Sequence, residues 1–87
     1  TIENAYTISN GEYEVIDAEI IETSELINKE IKNSNFPEEI RIGAVLRDSK
    51  VIIPRSNFIF KKDDRVVFIA KKDSISFVEN IFRLSSV

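Results

Sequence analysis

An α+β fold is predicted by this 87-residue sequence: one small mixed or antiparallel sheet with two helices packed on it, in the order β-α-β-β-β-α. Three observations predict it. Four short segments rich in Val, Ile and Phe carry strand chemistry, and two of them flank the two-residue polar turn Asp48-Ser49, a hairpin signal. Two further segments, residues 26–31 and 75–82, set their apolar residues at helical spacing. The length suits one small domain and is too short for two.

The elements follow in chain order. Residues 1–12 are polar, carry the turn signal Asn10-Gly11, and read as a linker or tail. The domain proper is expected over 13–87. Residues 14–22 alternate as a strand, with Ile16, Ala18 and Ile20 on one face and Asp17 and Glu19 on the other. Thr23 or Ser24 can cap a first helix bearing Leu26, Ile27 and Ile31, while Lys29, Glu30 and Lys32 face water. Asn28 interrupts it and tolerates a left-handed conformation. Residues 40–47 read as a second strand in which Ile40, Ile42, Ala44 and Leu46 share a face. Residues 50–53 form a third strand, closed by Pro54, which cannot donate to a ladder and suits a strand end or edge. Across the connecting arc 55–64, Phe58 and Phe60 share a parity and plug the core while Ile59 faces away. Asp63-Asp64 marks a turn. Residues 65–70 are apolar on both faces, which places that strand centrally. Asp73 is positioned to cap a final helix whose stripe is Ile75, Val78 and Phe82, with Phe77 and Ile81 beside it. Glu79 and Arg83 stand four apart on it.

Composition narrows function. The chain has no cysteine and no histidine, so triads built on His, Cys/His zinc sites and disulfides are excluded within it. It has no methionine, even at position 1, which predicts a piece of a longer protein. No apolar run reaches membrane-span length and no signal-peptide pattern opens the chain, so a cytoplasmic domain is expected. At this size the core is modest, and pairing with a second copy would add buried area. The net charge of −3 argues against nucleic acid as partner. That total hides an asymmetry: residues 1–40 carry ten acids and two bases, residues 41–87 ten bases and five acids. Two solvated faces explain it, or else Arg47, Lys50 and Arg55 present themselves to an anionic ligand or an acidic partner. Glu14, Asp17, Glu19 and Glu22 line one strand, but alternate strand residues lie about 7 Å apart and cannot alone enclose a calcium ion. Asp63-Asp64 could be paired catalytic carboxylates, although turn chemistry accounts for them. The phenylalanines fall on apolar faces, as core or dimer interface. There is no Gly-rich phosphate loop, since the only glycines are Gly11 and Gly43.

Five stretches carry a further signal: Leu26-Ile27-Asn28-Lys29-Glu30-Ile31, Ile42-Gly43-Ala44-Val45-Leu46-Arg47, Val51-Ile52-Ile53-Pro54, Asp64-Arg65-Val66-Val67-Phe68-Ile69 and Val78-Glu79-Asn80-Ile81-Phe82. In this order they resemble the TrkA-C domain, the C-terminal subdomain of RCK-type regulatory proteins, over residues 13–84. They are similar to its Leu-Val-Gly-Lys-x-Leu, Ile-x-Ala-Ile-x-Arg, Ile-x-x-Pro, Asp-x-Leu-x-Val and Val-Glu-x-Leu-Phe patterns. Asn28, Ser49 and Asp63 depart from it, standing where the family prefers glycine.

The resemblance implies a regulatory, non-enzymatic subdomain of a peripheral cytoplasmic subunit that controls potassium uptake. It would act as a homodimer and couple a gating ring to a membrane potassium transporter or channel subunit at the inner face of the plasma membrane. NAD or ATP is expected only in the nucleotide-binding half that precedes this subdomain in such proteins, so no cofactor is expected in the present stretch. Some relatives bind cyclic di-AMP between two C-subdomains. By resemblance this implies a small anionic ligand at Arg47, Ile53, Pro54 and Asn57, with the guanidinium on phosphate. A sensor of that kind is one alternative function, and a non-catalytic piece of an enzyme is another.

Overall fold

The computed structural model describes residues 2–8 and 11–82. Five strands form one antiparallel sheet: β1 (Ile2–Ile8), β2 (Tyr13–Glu19), β3 (Ile40–Arg47), β4 (Lys50–Ile52) and β5 (Arg65–Lys71), ordered β1-β2-β5-β3-β4. One α-helix, α1 (Ile75–Phe82), follows. The α+β class is as expected, and the two-sidedly apolar segment is indeed the central strand, hydrogen-bonded to β2 and β3.

The stretch read as a linker or tail contributes β1 instead. The free edge of β2 offers backbone partners from Tyr13 to Ala18, which a polar segment satisfies as well as an apolar one. Gly11, at φ +87, turns the chain between the two strands. Asn10 lies outside the described residues.

The expected first helix does not form. Residues 25–28 are turns, followed by a 3-10 turn over Ile31–Asn33. The backbone donors a helix would use internally are taken by the arc facing them. Asn28 N–H donates to the Phe60 carbonyl, Ile31 to Phe58 and Lys32 to Ser56, and Phe60 N–H returns a bond to Lys29. Asn28 sits at φ +65, which a helix cannot contain. The apolar spacing still serves burial: Leu26 is fully buried, and Ile27 and Ile31 pack against the core. Ser24, the anticipated cap, does accept the Leu26 N–H (3.2 Å), and its hydroxyl donates to the Ile81 carbonyl at 2.8 Å. It thereby ties this segment to α1. Replacing it with alanine orphans a buried carbonyl, and Ser24→Ala is expected to lose about 1–2 kcal/mol in urea unfolding.

The second strand changes face halfway. Ile40 pairs with Ala70 and Ile42 with Phe68, but Ala44 then pairs with Val67, so Gly43 is an extra residue. This β-bulge inverts the alternation beyond it. Val45, not Ala44 or Leu46, is fully buried opposite Val66. The hairpin turn Asp48-Ser49 has φ of +51 and +66, the conformation of a two-residue turn that favours glycine. Ser49→Gly is therefore expected to stabilise by about 0.5–1 kcal/mol, read as a rise in thermal midpoint.

Among the described side chains, the buried hydrophobics of the sheet all lie on one face, closed by Leu26, Phe60, Val78 and Ile81. Phe60 anchors an aromatic cluster, edge-to-face with Phe36 (6.2 Å) and Phe58 (5.8 Å). Ile59 faces away, 44% exposed. The last helix starts later than expected. Asp73 falls inside a 3-10 turn (Lys72–Ser74) rather than at a cap, and α1 then buries Val78 and Ile81 with Ile75 partly covered and Phe77 exposed. The Phe82 side chain, and Arg83 with the expected Glu79–Arg83 pair, lie outside the described residues.

Candidate functional site

Strand β4 pairs only with the last three residues of β3, which leaves the other edge of Ile40–Ile42 without a strand partner. The chain leaving β4 at Pro54 and the segment 31–38 converge on that open edge. Between them lies a cleft of about 620 Å³. Phe36, Ile42 and Pro54 supply apolar wall, and Lys32, Arg41 and Arg55 line it with one acid, Glu38. Lys32 makes only a long, exposed contact with Glu30 (4.0 Å), worth little in water. Arg41 and Arg55 are exposed, and among the described residues neither forms an ion pair. A chain of net charge −3 thus carries a locally cationic cleft. An apolar wall beside guanidinium groups suits a ligand that has both a flat or apolar part and a phosphate or carboxylate.

The four ligand residues implied by the resemblance occupy different settings. Pro54 lines the cleft. Ile53 is 73% exposed just beyond β4, and Asn57 is exposed in the turn of the arc. Arg47 is engaged inside the protein. Because Gly43 shifts the register, Arg47 emerges on the core side and clasps Asp64 bidentately: Nε to Oδ1 and Nη2 to Oδ2, both 2.7 Å. Nη2 also donates to the Ile59 carbonyl (2.9 Å), and the guanidinium lies 4.7 Å from the Phe58 ring centroid. The Asp64 side chain is 1% exposed and that of Arg47 27%. Hydrogen bonding to Asp64 raises the Arg47 pKa above its ordinary value. Asp64 also accepts the Lys61 N–H at 2.8 Å. The pair therefore fixes the arc 55–64 to the root of the hairpin, and with it one wall of the cleft.

Asp63 and Asp64 do not act together. Asp63 is exposed at φ +72, the turn role, while Asp64 is buried against Arg47. Asp17 contacts Arg65 at 3.4 Å. Among the described residues no group of three or more His, Cys, Asp or Glu could hold a metal ion. No helix there is long and apolar enough to cross a membrane. Of the cleft's cations, the sequence singles out Arg55, with Arg47 and Lys50, as a candidate anion contact, whereas it does not single out Lys32 or Arg41. Nothing in their spacing links them, because only the β3 edge and the turn-rich segment 31–38 bring them together.

A five-stranded antiparallel sheet with one helix on one face, a bidentate Arg–Asp pair across the hairpin root and a cationic cleft at the open strand edge together describe a small α+β domain with a ligand-sized cleft. The chain belongs to the TrkA-C domain family, which matches residues 15–83. It is 36% identical over 84 residues to the Trk system potassium uptake protein TrkA of Azorhizobium caulinodans, covering 97% of this chain and 18% of that protein. It is 33% identical over 82 residues to TrkA homolog 1 of Methanosarcina mazei, covering 94% and 18%. The chain thus spans about a fifth of the length of the curated relatives it matches. Among solved structures it resembles the RCK_C domain dimer of S. agalactiae BusR in complex with c-di-AMP (TM-score 0.70, 22% identity, 80% of this chain and 96% of that one). It also resembles an RCK domain solved with cda (TM-score 0.66, 15% identity, 79% and 97%). At these identities the structures speak for the fold.

Proposed function

We propose that this chain is the regulatory domain of a peripheral subunit that controls potassium uptake. It performs no reaction itself. It pairs with a second copy and couples a cytoplasmic gating ring to a membrane potassium transporter. The observation that carries this reading is the match to TrkA-C over residues 15–83, together with 36% identity to a potassium uptake protein. A docking element of this kind shifts a transporter's equilibrium by about 1–3 kcal/mol, or roughly 5–150-fold. The test is potassium uptake by cells carrying the full-length protein with and without this domain. Loss of regulation by that order is expected. Unchanged uptake and regulation would overturn the reading.

The cationic cleft favours a second reading, in which a small anionic ligand biases the same equilibrium. Cyclic di-AMP is the first compound to try, since it is the ligand named for the BusR domain dimer. Lys32, Arg41 and Arg55 would meet its phosphates while Phe36 and Pro54 meet its bases, and Arg47, Ile53 and Asn57 would frame the cleft from outside. Ligand at a hundredfold excess over its Kd stabilises the folded state by about 2.7 kcal/mol. Arg41→Ala and Arg55→Ala should each reduce that gain. No thermal shift with the unmodified chain would remove cyclic di-AMP as the ligand.

A further inference from the structure

We propose that the open edge of β3 takes up an extended, acidic segment of a partner protein as an added strand. The proposal deepens the docking reading above, on which it rests, by giving the partner a chemistry. Backbone geometry at this edge is set by the pairing on its other side. The Lys71 N–H donates to the Glu39 carbonyl (3.1 Å), and the register places Arg41 opposite Ile69. In an antiparallel ladder, hydrogen-bonded pairs alternate with pairs whose polar groups point away from each other. Glu39 and Arg41 therefore direct their backbone groups at β5, and Ile40 and Ile42 turn theirs outward. The Ile40 N–H agrees with this, donating outward to the Pro37 carbonyl at 3.1 Å. The Ile40 carbonyl and both polar groups of Ile42 have no backbone partner among the described residues. Strand β4 does not reach them, since its pairing with β3 stops at Val45.

Outward donors and acceptors along a strand edge are what an added strand pairs with. From Ile40 to Ile42 the edge is about 10 Å long, room for about three residues of a guest chain. Its surroundings select that guest, because successive side chains of an added strand point to opposite faces of the sheet. On the core face, where Ile40 is buried and Ile42 and Phe36 pack against the core, the guest meets apolar wall. On the other face it meets Arg41, which is exposed and lies between the two isoleucines in the chain. Lys32 and Arg55 add positive charge to the lining, against the one acid Glu38. The cleft therefore repels a basic segment and attracts an acidic one. A guest with alternating acidic and apolar side chains uses the cations, the apolar wall and the outward backbone groups together. A small anion filling the same cleft would displace it, which couples the ligand reading to the docking one.

Isothermal titration calorimetry of the 87-residue chain tests this, with far-UV circular dichroism to confirm that variants fold. The probe is a peptide of alternating glutamate and valine, about six residues long. Saturable binding with a Kd below about 1 mM is expected. The same peptide with lysine in place of glutamate should not bind. Methylating the peptide's backbone nitrogens removes its strand donors, keeps every charge, and should weaken binding about tenfold. Arg41→Glu should also weaken it about tenfold, an effect that fades as salt is raised. Lys62→Glu, exposed on the arc, should leave it unchanged. Exchange of the Ile42 N–H with solvent, followed by NMR, should slow about tenfold at saturation. No binding, equal binding of the lysine peptide, or binding that leaves Ile42 exchange unchanged would overturn the proposal. So would an Ile42 N–H already protected in the peptide-free chain, the mark of a second copy covering the edge. None of these outcomes touches the docking reading, which fails only if potassium regulation survives removal of the domain.

Discussion

Arg47→Ala is expected to destabilise the domain by about 3–5 kcal/mol and to lower its thermal midpoint by more than ten degrees. The substitution removes both hydrogen bonds to Asp64 and strands a carboxylate whose side chain is 1% exposed. Only the Lys61 N–H remains to hold it. The reverse deletion is milder, because Arg47 is 27% exposed and can turn to water once Asp64 is gone. Arg47→Lys should recover little, since one ammonium cannot reproduce two parallel bonds and the contact over Phe58. Replacing the pair with apolar residues of similar size should recover most of the loss. Thermal and urea unfolding of the two singles and the double measures these differences, and a loss below about 1 kcal/mol for Arg47→Ala would deny the pair its structural role. The sign of the pH dependence follows from the raised pKa of Arg47. A raised folded-state value contributes stability that is present below the ordinary arginine range and is lost only above it. Arg47 therefore imposes no pH dependence near neutrality. Because Arg47→Ala acts on folding, it also cannot report on ligand binding, and changes at Arg41 and Arg55 are the cleaner probes of the cleft.

Deleting Gly43 is expected to abolish the native fold at room temperature, whereas Gly43→Ala should be nearly neutral. A methyl group added at Gly43 would meet only the Val67 carbonyl oxygen at 3.6 Å, an ordinary contact. The bulge thus depends on the number of residues, not on the absence of a side chain. Removing one residue rotates everything after Ile42 by one position. Val45 would leave the core, at about 1.5–3 kcal/mol, and Arg47 would point away from Asp64, with the loss estimated above. Together these exceed the margin of a domain this small. Circular dichroism of the two variants separates the outcomes, and a folded deletion variant would show that the sheet can absorb the slip.

The contrast between these changes explains how far the sequence can be read. Strand chemistry survives translation into structure because alternation is local. Ile16, Ala18 and Ile20 are buried as their spacing requires, and residues 65–70 are central because both their faces are apolar. The bulge has no such signature. Ile42-Gly43-Ala44 reads as continuous alternation, and only pairing with Phe68 and Val67 reveals the extra residue. Residues 26–31 failed for a related reason. Their apolar spacing fits a helix and a buried turn equally well, and competition for backbone donors by Phe58 and Phe60 decided between them. Asn28, at φ +65, was the visible clue. The cationic cleft was least legible, since its cations, Lys32, Arg41 and Arg55, come from three separate segments of the sequence.

The strand order also bears on how the chain acquires its shape. β5 lies between β2 and β3 in space but after both in the chain. The β1–β2 and β3–β4 pairs cannot be joined into one sheet until the residues near 70 are available. During synthesis the residues ahead of β5 therefore wait without their central partner, exposing apolar strand edges. Folding must await that late arrival and then close several long loops at once, which predicts slow, all-or-none kinetics for so small a domain.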